Sequence, residues 1–168
     1  MYSVLMFISC LLTINTTLSA ISWPDIYADI QKTYPTVQHI PPHTLKAWLI
    51  DSPKEHIVLL DVRAKEEYAV SHLPGAILWN SKKTDLSKLL KDRIIITYCS
   101  VGYRSSKLAV ALKKDGFKHV YQLKGSLFAW ANLQYPLVTT THTVHPYNKK
   151  WGTLLNADVK QAKAFQLK

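Results

Sequence analysis

The chain has 168 residues, enough for one ordinary domain with extensions and a real hydrophobic core. Its content of 48% hydrophobic and 19% charged residues excludes an intrinsically disordered chain. Lys and Arg outnumber Asp and Glu by 21 to 11, but they are spread out without interleaved aromatics, so we expect no nucleic-acid partner; a small anionic substrate or an anionic membrane surface explains the charge equally well.

The first twenty residues carry no charged side chain, and residues 4–12 form an apolar run. Leu18-Ser19-Ala20 resembles a signal-peptidase site. We therefore predict a signal peptide over residues 1–20 and export to the periplasm or the cell exterior, with no stable membrane span after cleavage. Two alternatives stay open: an uncleaved leader that anchors the chain, because no Lys or Arg precedes the apolar run, and lipidation of Cys10.

The predicted elements begin with a short amphipathic helix in an N-terminal extension, residues 21–35. Apolar side chains recur there every three or four residues between two prolines, and we expect the helix to pack on the domain. A first strand is predicted at residues 36–40. Pro41-Pro42 then opens a second helix, which residues 51–54 end.

Strand and helix patterns alternate over the rest of the domain. Apolar runs predict strands at residues 57–61, 76–78, 94–98 and 120–123. Helical spacing predicts helices at residues 66–72, 105–114 and 126–133, and one or two helical turns at 85–90. In the helix at 105–114, Leu108, Ala111 and Leu112 are expected to share a face. This alternation predicts an α/β domain with a central parallel sheet, in which functional sites collect at the carboxyl ends of the strands.

A cysteine lies at one such strand end. Cys99 is followed by a short loop that contains Gly102 and closes with Arg104 before a helix. The N–H groups of residues 100–105, the positive end of the helix and the guanidinium can together stabilise a thiolate, so we predict a reactive Cys99. Gly102 lets the loop turn without a Cβ, Arg104 orients the loop or helps to bind an anionic donor, and Ser105 caps the helix or contacts the sulfur.

Plainer interpretations of these residues stay open. Cys99 could be an inert buried cysteine, Gly102 a turn residue only and Arg104 a solvated surface cation. Cleavage after Ala20 would remove Cys10 and leave Cys99 without an internal disulfide partner.

Other polar residues are assigned supporting roles or none. Asp61 and Arg63 follow a buried strand, where a charged pair more often clamps neighbouring loops than acts in catalysis. His72 is assigned to a turn and strand entry. The spacing of the remaining histidines does not form a metal set, so we predict no metal and no cofactor.

Four stretches resemble, in the same order, the motifs of the rhodanese domain: Leu60-Asp61-Val62-Arg63, Glu66-Glu67-Tyr68, His72-Leu73-Pro74-Gly75-Ala76 and Cys99-Ser100-Val101-Gly102-Tyr103-Arg104-Ser105. The resemblance covers about residues 36–138. It implies a three-layer α/β fold with five parallel strands and helices on both sides.

The resemblance implies a sulfurtransferase in which Cys99 and Arg104 are catalytic. The predicted substrate-binding residues are Ser100, Val101, Gly102, Tyr103 and Ser105. One departure is Gly125-Ser126, where many members have two glycines; we expect the serine to be tolerated if its position needs no positive φ.

The predicted reaction moves a sulfur atom from a small anionic donor such as thiosulfate, through a Cys99 persulfide, to a thiol or cyanide acceptor. Rhodanese-fold phosphatases and arsenate reductases place five residues between cysteine and arginine, whereas four lie between Cys99 and Arg104, and the smaller ring suits a single sulfur better than a phosphate. A non-enzymatic binding or redox-sensing module is the other alternative.

The basic C-terminal extension, residues 139–168, is less regular. Tyr147 and Trp151 need cover, so we expect them to pack on the domain, with the mouth of the Cys99 loop as one position open to them. A short, weakly amphipathic helix is predicted at residues 156–167. This extension could shape the access of the acceptor.

Overall fold

The computed structural model of the chain describes residues 21–51, 56–80, 93–139 and 143–159. Four predicted features therefore lie wholly or partly outside the described residues: the leader with Cys10, the end of the second helix at 51–54, the helical turns at 85–90 and the basic helix at 156–167.

The N-terminal extension forms the predicted helix, α1 (Trp23–Thr33). Ser22 caps it, because its Oγ accepts a hydrogen bond of 3.4 Å from the Asp25 amide. The buried side of α1 carries Ile26 and Ile30, four residues apart, so the helix packs on the domain as predicted. The short strand β1 (Gln38–Ile40) and α2 (Pro42–Asp51) follow.

The remaining elements alternate as the sequence predicts. The middle of the chain contributes β2 (Ile57–Asp61), α3 (Lys65–Val70), β3 (Ser71–His72) and β4 (Ile77–Leu78). The later part contributes β5 (Ile94–Tyr98), α4 (Tyr103–Lys114), β6 (His119–Leu123), α5 (Ser126–Asn132), β7 (Val138–Thr139) and a short 3₁₀ helix at Trp151–Leu154. None of the helices within the described ranges is long and apolar enough to cross a membrane.

Five parallel strands form the central sheet in the order β1-β6-β5-β2-β4. Strand β5 lies at its centre and pairs with β2 on one side and β6 on the other. The residue after β5 is Cys99, so the cysteine stands at the carboxyl edge of the middle strand, where loops from both sides of the sheet converge.

Side chains alternate between the two faces of this sheet. Leu59 and Ile96 point into a core shared with α1, α2, α5 and the segment 143–159. Leu60 and Ile95 point into a second core closed by α4. Helices therefore cover both faces, and the predicted three-layer α/β fold is confirmed.

Two predicted helices differ from those observed. The helix predicted at residues 66–72 ends at Val70, because Ser71 is extended and its carbonyl accepts a hydrogen bond of 2.5 Å from Arg63; β3 then pairs antiparallel with β7. The helix predicted to begin at Ser105 begins two residues earlier, with Gly102 at its N-cap.

The buried face of α4 also differs from the prediction. Leu112 is buried as predicted and Leu108 is partly buried, but Ala111 is exposed; the other buried residues of the helix are Ser105, Ser106 and Ala109. Ser105, Ala109 and Leu112 keep the three- to four-residue spacing of one helix face, which leaves Ala111 off that face.

The burial of α1 leads to a stability prediction. Ile26 is 2% exposed, so Ile26→Ala should lower the free energy of unfolding by about 2–5 kcal/mol through the lost burial and the cavity left behind. Ile50→Ala on α2 is the matched control, because Ile50 is 73% exposed and its loss should cost less than about 0.5 kcal/mol. Urea denaturation of both variants measures the difference, and equal losses would contradict the packing of α1.

Candidate active site

The sulfur of Cys99 is buried and receives hydrogen bonds from its own loop. Only 2% of Cys99 is exposed. The Gly102 amide donates to Sγ at 3.1 Å, and the Ser105 hydroxyl lies 3.6 Å from the same sulfur. Both donors favour a negatively charged sulfur at this position, and the start of α4 adds the positive end of a helix dipole. Ser105 lies in the first turn of α4, and its hydroxyl also lies 3.0 Å from the Gly102 carbonyl.

Gly102 is required by both conformation and space. Its φ is +132°, outside the range that L side chains normally adopt. A Cβ at this position would lie 2.7 Å from Cδ1 of Ile30 and 3.2 Å from Nε2 of Gln122. The loop therefore approaches α1 and β6 more closely than any side chain would permit.

The start of α5 holds the cysteine loop from one side. The amides of Leu127 and Phe128 donate to the carbonyls of Cys99 and Ser100 at 3.0 and 3.1 Å. These carbonyls are thereby turned away from the sulfur, so the amide side of the loop faces it. Helix α5 thus fixes the loop through its otherwise unpaired N-terminal amides.

Ser126 belongs to this support, although the condition that we set for tolerating a serine here, the absence of a positive φ, is not met. Its φ is +51°, so the second position of the Gly-Ser pair does have a positive φ. Hydrogen bonds explain how a serine fits: its Oγ accepts from the Cys99 amide at 3.2 Å and from Gln122 Nε2 at 3.0 Å. Its side chain thus offsets the backbone strain by positioning the cysteine itself.

Arg104 and Glu67 form a two-pronged ion pair on the other side of the loop. Nη1 and Nη2 of Arg104 donate to the two carboxylate oxygens at 2.8 and 2.9 Å. The Ser100 hydroxyl also donates to Glu67, at 3.0 Å, and accepts from Arg104 at 3.0 Å. Arg104 is therefore tied into the structure and orients the loop, which contradicts the interpretation of it as a solvated cation.

The electrostatics of this pair follow from its partial burial. Burial raises the pKa of Glu67, but the hydrogen bonds from Arg104 and from the Ala64 amide outweigh it, and the pKa of Glu67 is lowered overall. Burial likewise opposes the charge of Arg104, but the bonds to Glu67 prevail and raise the pKa of Arg104. Both groups are charged at neutral pH.

Asp61 and Arg63 form a second, fully buried ion pair. Their closest approach is 2.7 Å, and both side chains are 0% exposed. Arg63 also donates to the carbonyl of Ser71. The pair thus joins the end of β2 to the start of β3, beside the cysteine loop rather than in it.

The C-terminal segment closes over the loop. Tyr147 and Trp151 line a cavity of about 190 Å³ together with Cys99, Arg104 and three further loop residues, Ser100, Val101 and Tyr103. Both aromatics therefore pack near the mouth of the loop, as we expected. Gly102 and Ser105 lie behind the cavity, against the sulfur.

Sequence reasoning did not nominate several residues of this site. Glu67, Gln122 and Ser126 hold the loop, and buried His145 supports the segment above it. Glu67 stands in the Glu66-Glu67-Tyr68 stretch that carries the family resemblance, and that was the available signal for it. Within the described ranges, no group of three or more His, Cys, Asp or Glu side chains is arranged to hold a metal ion.

The ion pair leads to a pH-dependent stability prediction. Since the folded-state pKa of Glu67 lies below its ordinary value of 4.5, the pair stabilises the fold above pH 4.5 and loses this effect as the pH falls through the lowered pKa. Glu67→Gln should cost about 1–3 kcal/mol at pH 7, between the values for exposed and buried pairs. Urea denaturation from pH 7 to pH 3 should show the deficit shrinking; a deficit that is constant with pH would contradict the assignment.

The backbone of Gly102 leads to a second prediction. Gly102→Ala should lower the free energy of unfolding by about 1–3 kcal/mol more than Gly116→Ala, because it adds a steric overlap to the conformational strain. Gly116 is the matched control: its φ is +88°, and a Cβ there would meet nothing within 4 Å. Denaturation of the two variants decides, and an equal cost would mean that Ile30 and Gln122 yield without penalty.

Comparison with known proteins agrees with this geometry. The rhodanese-like domain family matches residues 42–133. A sulfurtransferase of Allochromatium vinosum is 31% identical over 104 residues, which span 61% of this chain and 95% of that protein. A probable adenylyltransferase/sulfurtransferase of Mycobacterium tuberculosis is 37% identical over 101 residues, 58% of this chain but 25% of that protein.

A solved structure has the same fold. The crystal structure of a thiosulfate sulfurtransferase from Pseudomonas aeruginosa superimposes with a TM-score of 0.54 at 25% identity, over 63% of this chain and 20% of that one. The chain spans about a quarter of the length of the first curated relatives that it matches. The matched span contains the cysteine loop and the Glu67–Arg104 pair that supports it, and the chain belongs to the rhodanese-like domain family.

Proposed function

We propose that this protein is a sulfurtransferase that carries a sulfur atom on Cys99. The observation that carries the proposal is the environment of the cysteine sulfur, which is buried and faces one amide and one hydroxyl donor at 3.1 and 3.6 Å. Donors so placed stabilise the thiolate that attacks the donor and the same thiolate when it leaves the persulfide. The similarity to sulfurtransferases supports the same chemistry.

The reaction with thiosulfate takes place in two displacements. The Cys99 thiolate attacks the outer sulfur of thiosulfate, a new S–S bond forms, and the S–S bond of the donor breaks to release sulfite. In the second step cyanide or a thiolate attacks the outer sulfur of the persulfide, and the Cys99 thiolate leaves. Electrons balance at each step, so no oxidant, reductant or cofactor is needed.

Arg104 serves this chemistry mainly by shaping the loop. Its two Nη atoms are engaged by Glu67 and Ser100, which fixes the loop and compensates its charge. The excess of basic residues, 21 Lys and Arg against 11 Asp and Glu, supplies a positive field that attracts an anionic donor.

Phosphate transfer is the rival chemistry, and the size of the loop argues against it. Four residues separate Cys99 from Arg104, and the Gly102 amide already contacts the sulfur itself. A phosphoryl group would need converging donors around three oxygens in addition to the nucleophile.

Steady-state kinetics test the proposal. The protein should form thiocyanate from thiosulfate and cyanide and release no phosphate from an aryl phosphate above background. Cys99→Ser should lower thiocyanate formation by at least about a thousandfold, because it removes the nucleophile. Ala111→Ser is the matched control, because it introduces the same residue at an exposed position of α4. Phosphate release without thiocyanate formation would contradict the proposal, and the absence of both activities would favour a binding module.

A further inference from the structure

The walls of the Cys99 cavity come partly from outside the part of the chain that the family match covers. That match ends at residue 133, whereas Tyr147 and Trp151 lie in the segment 143–159. The cysteine itself is 2% exposed, and the cavity that leads to its sulfur is lined in part by these two rings. The cavity is therefore completed by a segment that lies beyond the family match, and the chemistry of that segment bears on what enters.

Tyr147 is held in place by its backbone. Its φ is +62°, in the left-handed region that non-glycine residues seldom occupy. The Tyr147 amide donates a hydrogen bond of 3.0 Å to Nδ1 of His145, a side chain whose residue is 5% exposed. This arrangement sets the phenol ring 4.9 Å from the guanidinium carbon of Arg104. The ring thus lies over the guanidinium of Arg104, which lines the cavity.

Trp151 is held from two directions. Its amide donates to Oδ1 of Asn148 at 3.0 Å, which fixes the start of the 3₁₀ helix. Its ring packs edge-on against Tyr103 with centroids 5.8 Å apart. The Tyr103 hydroxyl in turn donates to Asp29 of α1 at 2.7 Å. Both chain extensions therefore brace the aromatic wall.

The charge inside the cavity is largely compensated. Both Nη atoms of Arg104 bond to Glu67, and the ring of Tyr147 lies over the guanidinium, while 37% of the Arg104 side chain stays exposed. The Gly102 amide and the Ser105 hydroxyl are the donors that face the reacting sulfur. The surfaces that face the rest of a bound molecule are mainly the rings of Tyr103, Tyr147 and Trp151 together with Val101.

The volume indicates the size of the body that fits. The cavity measures about 190 Å³. An apolar cavity of about 150 Å³ in another protein binds benzene, so this one has room for a single flat ring or an alkyl group of similar size.

We propose that Tyr147 and Trp151 are specificity-determining residues that select, as the sulfur acceptor, a small thiol with an aryl or similarly apolar body. The identity of the reaction rests on the proposed function. In the transfer step the acceptor thiolate attacks the outer sulfur of the Cys99 persulfide, its new S–S bond forms as the Cys99 S–S bond breaks, and the Cys99 thiolate leaves. The acceptor departs as a persulfide, and its apolar body contacts the two rings throughout.

The test uses alkylation of the Cys99 thiol, which needs no sulfur transfer. Iodoacetamide and N-phenyliodoacetamide share one electrophile and differ by one ring, and their second-order rates with Cys99 are followed by intact mass. The ratio of the two rates, divided by the same ratio for free N-acetylcysteine, measures the preference of the cavity for an aryl body. We expect about a tenfold preference in the unaltered chain, the size that two aromatic contacts supply.

Variants locate this preference. Tyr147→Ala and Trp151→Ala should each reduce it about threefold or more, whereas Tyr147→Phe, which keeps the ring, should retain it. Ile50→Ala is the control, because Ile50 is an exposed apolar residue on α2 that does not line the cavity. Thermal unfolding identifies any variant that fails to fold. Of the two cavity residues, Tyr147 is the more exposed, at 43%, so the fold should tolerate its substitution better than that of Trp151.

Three results would overturn the inference: no preference in the unaltered chain, a preference that survives both alanine variants, or a Cys99 that neither reagent alkylates. None of them depends on thiocyanate formation. If no thiocyanate forms but the aryl preference is measured, the proposed function is wrong and the assignment of Tyr147 and Trp151 as selective residues is retained. If thiocyanate forms but no aryl preference is measured, only the assignment of these two residues is wrong.

Discussion

The carboxylate of Glu67 is the point on which the site depends. It is buried in α3 and accepts hydrogen bonds from the Ala64 amide, the Ser100 hydroxyl and both Nη atoms of Arg104. A single side chain thereby joins α3, the cysteine loop and the first turn of α4. Removing one partner of such a pair leaves a partly buried charge without compensation. The conformation of the loop therefore depends on the pair. The position of Arg104, and with it the ring of Tyr147 above, follows from this contact.

The opposite side of the loop is fixed by neutral groups. Two amides in the first turn of α5 donate hydrogen bonds to the carbonyls of Cys99 and Ser100. The Ser126 hydroxyl accepts a hydrogen bond from the Cys99 amide. Gln122 connects this side to the sulfur, because its Nε2 donates to both Ser126 and Ser105. The carbonyls of Cys99 and Ser100 point towards α5, and the amide of Gly102 points towards the sulfur. The side of the loop that faces the sulfur therefore carries a hydrogen-bond donor. Such a loop is suited to holding one anionic sulfur in a fixed position.

The sequence predicted the elements that have a periodic pattern of apolar residues and the loop that has a recognisable motif. Continuous apolar runs located β2 and β5 to the residue, and the cysteine loop was evident from Gly102 and Arg104. Residues whose roles depend on tertiary partners escaped prediction. Nothing in the local pattern distinguishes buried Glu67 from exposed Glu66, and the strain at Ser126 is offset by contacts from other elements. The helix predicted to reach His72 ends at Val70, because the Ser71 carbonyl accepts a hydrogen bond from Arg63.

The central claim is that Cys99 carries the transferred sulfur, and intact mass measured after incubation with thiosulfate and removal of excess donor tests it most directly. We predict a gain of one sulfur atom that maps to the peptide containing Cys99, disappears on addition of cyanide and is absent from Cys99→Ser. A chain that gains no sulfur under these conditions, or gains it at another residue, would contradict the account.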